Sequence, residues 1–437
     1  MTQPAVSPAT TLSGTAAVAA VASGELTIRA VADEALATVA ELDGDIGAFR
    51  IVDPAAVRQH ADDLDAGEAK PLGGLLVGMK DVIDTADLPT GYGSPLFADH
   101  QPANDSDLVA ACRRAGALVL GKTESTEFAM FHPTRTRNPL DLTRTPGGSS
   151  SGSAAAVAAG MVPVAFGTQT AGSVVRPAAY CGVYGFKPTK GWTSTDGIWL
   201  LAESFDTVGI FARTAADLAL TYYGIRGSKL PDHQVNDHRD SPPPRVAVLA
   251  TDDWGVCEPE VAVAIRQVAD QLDRAGWAVS ELAMPAGWEK LPEVHNTMMA
   301  VEVALNMRAQ LGADVDRISE RARAIVERGD NCPAEVYSDA LATTAAAAEV
   351  LASIASTTDL LLAPSALGVA PVGLDFTGDP VMCRPWTLLG APASNVPAYR
   401  RADGLPVGVQ AVSSTLDDVF FLRALASLEA ALTDQAL

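Results

Sequence analysis

The chain has 437 residues, 48% hydrophobic and 19% charged, and its 31 Lys and Arg against 53 Asp and Glu leave a net charge of −22. That balance supplies a core for a large globular fold and excludes disordered and collagen-like chains. Phosphate-backbone and anionic-membrane binding need clustered positive charge, so this acidity argues against nucleic acid and membrane as partners. Five cysteines (Cys112, Cys181, Cys257, Cys332 and Cys383) are odd in number, far apart and free of CxxC spacing. They argue against a disulfide framework or zinc cluster and for a reducing compartment. The start, MTQPAVSPATT, carries no basic leader, and the apolar run Ala16–Ala22 is too short to span a bilayer. A cytoplasmic protein is expected.

In chain order, Leu26, Ile28, Val31, Ala35, Val39 and Leu42 recur at near-helical spacing and predict an amphipathic helix ending near Gly44. The apolar run Leu75–Met79 reads as a buried strand that delivers Lys80 at its tip. LVAACRRAGALVLGKTE reads as a helix followed by a short strand, Ala117–Leu120. Residues 137–153 are loop chemistry leading into a helix over AAAVAAGM. VPVAFGT is then a strand, and QTAGS a sharp turn. Residues 228–245 are polar and proline-rich, the composition of a surface linker. VAVLA resumes as a strand, residues 258–354 are Ala-rich and helical, and TDLLLAPSA and GLPVGVQAVS are further strands. DDVFFLRALASLEAAL closes the chain as an amphipathic helix. Alternating strands and helices predict the α/β class. The expected organisation is one domain over residues 1–437. It comprises an N-terminal helical segment (1–70), a catalytic core (71–244 plus 355–437) and a variable helical insertion or cap (245–354).

Two motif matches fail on physical context. Gly116 to Thr123 fits the P-loop pattern, but its middle residues, ALVL, favour a strand rather than a nest of amides around phosphate. Gly148-Ser149-Ser150-Ser151-Gly152 fits a nucleophile elbow, yet a loop rather than a strand precedes it. A Ser-His-Asp site would also need a later histidine. Of His60, His100, His132, His233, His238 and His295, only the last three follow the serines. His233 and His238 sit in the proline-rich linker, and His295 lies in a helical stretch where a packed or surface residue is expected. No histidine pair has zincin spacing, so no metal is expected.

The segment 146–191 is richer. Its two Gly/Ser-rich turns, around Ser149 and Ser173, are 24 residues apart and joined by one helix and one strand. Antiparallel elements of this kind return both turns to one sheet edge. The second turn, Thr170-Ala171-Gly172-Ser173, is small enough to aim successive amides at one point, as an oxyanion hole requires. A serine nucleophile without a credible histidine needs another base. A lysine can serve if burial keeps it neutral, and Lys80 is the lysine placed for desolvation.

These residues carry a resemblance to the amidase signature family, the Ser–cisSer–Lys amide hydrolases. The match runs from about residue 20 to the C-terminus, interrupted across 245–350. It is densest at VGMKD, GKTE, GGSSSGSAAAVAAG, GTQTAGS and PAAYCGVYGFKPTKG, with DTVG (206–209) and GLPVGVQ (404–410) also fitting. The resemblance implies a large mixed sheet layered between helices. It implies Ser173 as nucleophile, Ser149 as a bridging serine after a cis peptide bond, and Lys80 as base. The amides of Thr170, Ala171, Gly172 and Ser173 would form the oxyanion hole. The implied mechanism is acyl transfer through a covalent intermediate, with no cofactor or metal.

One departure bears on substrate. Many family members carry Asp four residues before the nucleophile and Arg two after it; here those positions are Gln169 and Val175, and the arginine is Arg176. GTQTAGSVVRPAAYCG, TGDP (377–380) and WTLLGAPASNVP (386–397) resemble the malonamidase branch, where the corresponding arginine binds a substrate carboxylate. Arg176 either does the same or pairs with an acid of the chain. The loop 192–205 points elsewhere: Trp199, Leu200, Leu201 and Phe205 either pack the core or line an apolar pocket for an aryl or alkyl group. The expected activity is hydrolysis of a small-molecule amide. The alternatives are a carbamate (urethane) or aryl-amide hydrolase with the same triad, and the ammonia-producing component of an amidotransferase. A homodimer is an open assembly state.

Overall fold

The computed structural model describes residues 12–228, 243–249 and 256–433. Its centre is one sheet of eleven strands: β1 Phe49–Ile51, β2 Leu76–Lys80, β3 Leu118–Thr123, β4 Val164–Gln169, β5 Tyr184–Lys187, β6 Thr207–Ala212, β7 Val246–Leu249, β8 Val279–Leu282, β9 Leu360–Pro364, β10 Ala393–Val396 and β11 Val409–Ser413. Their order is β1-β3-β2-β4-β6-β5-β10-β11-β9-β7-β8. The sheet is mixed: β2 runs parallel to β3 and β4, and β7 to β8 and β9, while the strands between are antiparallel.

Both faces of the sheet are covered, and the strand sequences show why. Successive side chains point to opposite faces. In β2, β3, β4 and β6, Val77, Met79, Val119, Val164, Phe166, Val208 and Ile210 enter one apolar core. Their neighbours Leu76, Leu118, Leu120, Ala165 and Phe211 enter a second, against the helices Ile28–Ile46 and Ser151–Ala158. This is the expected α/β arrangement, a large mixed sheet layered between helices. No helix of the described residues is long and apolar enough to cross a membrane.

Three expectations change. The first long helix runs to Ile46 rather than Gly44, and Gly47, at φ 64°, makes the left-handed cap. The strand after Gly116 extends through Lys122 and Thr123, because Thr123 pairs in register with Lys80. Lys122 is accordingly buried in the sheet and donates to Ile83 O (2.6 Å) and Thr90 Oγ1 (2.5 Å), which is not a phosphate cradle. The segment 245–354 is not helical throughout. The strand expected over VAVLA is present as Val246–Leu249, but Val279–Leu282 also joins the main sheet and helix Pro259–Arg274 packs on it, so helices dominate only from Leu291 onward. VSEL is half-exposed at the sheet edge and carries no apolar run to betray a strand. His233, His238 and most of the 228–245 linker lie outside the described residues.

Candidate active site

β2 and β4 are parallel neighbours, so Lys80 and Gln169 end at the same sheet edge. The helix Ser151–Ala158 returns antiparallel between them in sequence, which brings the Gly147–Ser150 turn back to that edge. The peptide Gly148–Ser149 is cis. Lys80 is fully buried, and its Nζ lies 2.7 Å from Ser149 Oγ, 2.8 Å from Thr168 Oγ1 and 3.5 Å from the Thr168 carbonyl. Burial pushes the Lys80 amine down to about 7, against the opposing pull of the Asp206 carboxylate. A neutral amine has two N–H donors and one lone pair. The two Thr168 oxygens take the donors, which leaves the lone pair for the Ser149 hydroxyl proton.

The neighbouring serines are spoken for. Ser150 is fully buried and donates to the Thr168 carbonyl at 3.3 Å; Ser151 donates to Gly147 O at 2.7 Å; Ser153 sits between Thr123 and the Phe166 carbonyl. The elbow arrangement, which would expose Ser150, is therefore absent.

Ser173 lines a small, narrow cavity together with Thr170, Ala171 and Arg176. Ala129, Met130, Phe131, Leu201, Met299 and Val303 supply much of its apolar wall. Gln169, in place of the more frequent aspartate, accepts the amides of Val174 (2.8 Å) and Val175 (3.1 Å) through Oε1 and donates through Nε2 to Thr387 Oγ1 (2.9 Å). Among the described residues no hydrogen bond takes the amide N–H of Ala171, Gly172 or Ser173.

Arg176 is 2% exposed and makes no ion pair among the described residues. Nη2 donates to the Gly148 carbonyl at 2.5 Å, while Nε and Nη1 have no partner. Burial lowers its pKa, with Tyr180, Cys383 and Asp379 opposing. Trp199 is buried in an aromatic cluster with Tyr92, Phe97 and Phe128. Together with Leu200 it lines an adjacent cavity, beside Thr168, Thr170 and Asp206, rather than the one that holds Ser173. Leu201 reaches both cavities, and Phe205 packs on His295.

Sequence reasoning missed Asp206. Its carboxylate accepts Thr170 Oγ1 (2.6 Å), Leu201 N (2.6 Å) and Ala202 N (3.0 Å), tying the 199–206 loop to the Ser173 turn; burial raises it to about 6. The DTVG match was a signal for it. The cavity wall Ala129–Phe131 was also missed. Phe128 and Ala129 both sit at positive φ (49° and 59°), a conformation no residue type there announces.

The family model "Amidase" matches residues 30–422. A glutamyl-tRNA(Gln) amidotransferase subunit from Roseiflexus castenholzii is 33% identical, with 92% of each chain covered. Among solved structures, native peptide amidase from Stenotrophomonas maltophilia superposes with a TM-score of 0.82 at 27% identity, covering 97% of each chain. The 6-aminohexanoate cyclic dimer hydrolase complexed with substrate gives 0.84 at 25% identity, covering 96% of this chain and 97% of the other. The fold and these matches define a hydrolase of carbon–nitrogen bonds in non-peptide amides. The chain belongs to the amidase family.

Proposed function

We propose that this enzyme hydrolyses a small amide whose acyl part carries a carboxylate, through an acyl-enzyme on Ser173. The observation that carries the chemistry is the buried Lys80 amine 2.7 Å from Ser149 Oγ, at the sheet edge where Ser173 meets its cavity. Neutral Lys80 takes the proton of Ser149 as Ser149 takes that of Ser173. Ser173 Oγ then attacks the amide carbonyl, and the amides of the 170–173 turn receive the developing oxyanion. The proton returns through Ser149 to the departing nitrogen as the C–N bond breaks. Water, deprotonated along the same route, hydrolyses the ester and restores Ser173.

Arg176 supports the acidic substrate. A buried guanidinium with two nitrogens unpartnered among the described residues, beside the nucleophile, is costly unless an anion completes it, and its planar fork fits a carboxylate. The apolar wall suits a short hydrocarbon part of the same substrate. A neutral aryl amide or a carbamate handled by the same three residues is the alternative. The apolar 192–205 loop gives it little support, since Trp199 and Leu200 line the adjacent cavity. A second reading, the ammonia-producing component of an amidotransferase, is favoured by the similarity to glutamyl-tRNA(Gln) amidotransferase chains; the charge of −22 opposes a tRNA-facing role.

The test is a panel of dicarboxylic monoamides, neutral amides, anilides and carbamates given to the purified chain alone, with products read by mass spectrometry. Turnover of the monoamides without partner chains supports the proposal. Preference for neutral anilides or carbamates supports the alternative. Turnover only after partner subunits are added supports the amidotransferase reading.

A further inference from the structure

Each carbonyl of the turn before Ser173 accepts a hydrogen bond. The Thr170 carbonyl accepts from His295 Nε2 at 2.8 Å. The Ala171 carbonyl accepts from Thr387 Oγ1 at 2.7 Å. The Gly172 carbonyl accepts from the Arg176 amide at 3.0 Å. These peptides are trans, since the one cis bond among the described residues is Gly148–Ser149. In a trans peptide the C=O of one residue and the N–H of the next lie antiparallel in one plane. Each held oxygen therefore fixes the direction of the N–H on the opposite side of its own peptide, that of Ala171, Gly172 or Ser173.

We propose that His295 and Thr387 are positioning residues that aim the Ala171 and Gly172 amides at the oxyanion. This rests on the assignment of the 170–173 turn under Proposed function. The carbonyl can only accept, so His295 carries its proton on Nε2, and its Nδ1 has no hydrogen-bond partner among the described residues. The ring is fully buried and packs on Phe205 with centroids 4.6 Å apart; burial holds its pKa down to about 3, so it stays neutral. Thr387 has one proton and two carbonyls in reach, Ala171 O at 2.7 Å and Cys383 O at 3.2 Å. Gln169 Nε2 donates to the Thr387 oxygen, which leaves that proton free for Ala171. An aspartate at 169 would offer only acceptors and compete for it. The Gln169 departure and the Thr387 anchor thus belong to one arrangement.

The segment after residue 245 thereby gains a role. His295 lies on helix Leu291–Leu311, and Glu302, Asn306 and Gln310 follow at spacings of seven, four and four, which share its face. Glu302 accepts from Ser204 N (2.8 Å), Asn306 donates to Leu201 O (3.2 Å) and Gln310 to Leu200 O (2.7 Å). Met299 and Val303 of the same helix line the Ser173 cavity. One helix therefore grips the oxyanion turn, the loop beside it and the substrate wall.

The test follows the rate at which a short-chain alkyl fluorophosphonate labels Ser173. The Ser173 Oγ–P bond forms as fluoride leaves and the serine proton passes to Ser149; the phosphoryl oxygen uses the same amides. His295→Phe and Thr387→Val should slow labelling roughly 10- to 100-fold, short of the 10²–10³ that loss of a whole donor costs. His295→Gln, whose amide can present an N–H near Nε2, and Thr387→Ser should stay within about threefold of wild type. Unchanged labelling in the Phe and Val variants overturns the inference. So does equal loss in His295→Gln and Thr387→Ser, since the defect is then one of packing. If wild type is not labelled on Ser173, the site assignment itself fails. If Ser173 is labelled and only the positioning variants disagree, this inference alone fails.

Discussion

Replacing Arg176 with Met keeps length and apolar volume while removing the charge. In the wild type, Nε and Nη1 have no partner among the described residues and Nη2 holds the Gly148 carbonyl. Each hydrogen bond to a charged group contributes about 1.5–3 kcal/mol. At about 1.4 kcal/mol per decade, losing one costs roughly 10- to 150-fold in binding. Arg176→Met should therefore lower kcat/KM for a dicarboxylic monoamide by roughly that factor relative to the neutral amide of the same chain length, mostly through KM. The assay is paired kinetics on the two substrates, with thermal melts in the presence of malonate. At 100 times its Kd a ligand stabilises by about 2.7 kcal/mol, so malonate should raise the wild-type melting temperature and leave the variant unmoved. Equal loss on acidic and neutral substrates, or no response of wild type to malonate, would refute the carboxylate role. The Gly148 contact would then be the residue's whole purpose.

Lys80 must be neutral to accept a proton, and it loses its own near pH 7. Below that pH the ammonium has no lone pair, so kcat should fall tenfold per pH unit and level off above about 8; a flat profile with chemistry rate-limiting rejects a lysine base. Lys80→Met should cost about 10²–10⁴-fold. Ser149→Ala should be similarly severe. Ser150→Ala should retain most activity, because Ser150 Oγ faces the Thr168 carbonyl; the reverse ranking would revive the elbow arrangement. In Gly172→Ala the new Cβ would lie 2.8 Å from Pro380 Cβ and 3.0 Å from Cys383 Cβ, so the turn must shift. Activity should drop far more than the melting temperature, and full activity would mean that the turn's position is not critical.

The sequence was most legible where local chemistry is strong. The apolar run Leu75–Met79 reads as a buried strand that delivers a lysine at its tip, and the strand Leu76–Lys80 does bury Lys80. The small residues around Ser149 and Ser173 announced turns, and the helix and strand between them fixed a shared edge. Half-exposed β8 and three-residue β1 carried too little apolar pattern to be read. Arg176, Trp199 and Leu200 could be singled out, but which cavity each faces depends on packing between distant segments. His295 shows the limit most plainly. A histidine in an Ala-rich helical stretch reads as filler, and only the tertiary fold places its ring 125 positions back in the chain, on the Thr170 carbonyl. Thr387, from a third segment, is equally silent in the sequence.

The central claim is that Ser173, activated through Ser149 and Lys80, forms the covalent intermediate. It is tested most directly by acid-quenching the enzyme during turnover of its best panel substrate and mapping peptides by mass spectrometry. The account predicts an acyl mass increment on the peptide that contains Ser173, lost in Ser173→Ala. An increment on Ser150, or undiminished turnover by Ser173→Ala, would contradict it.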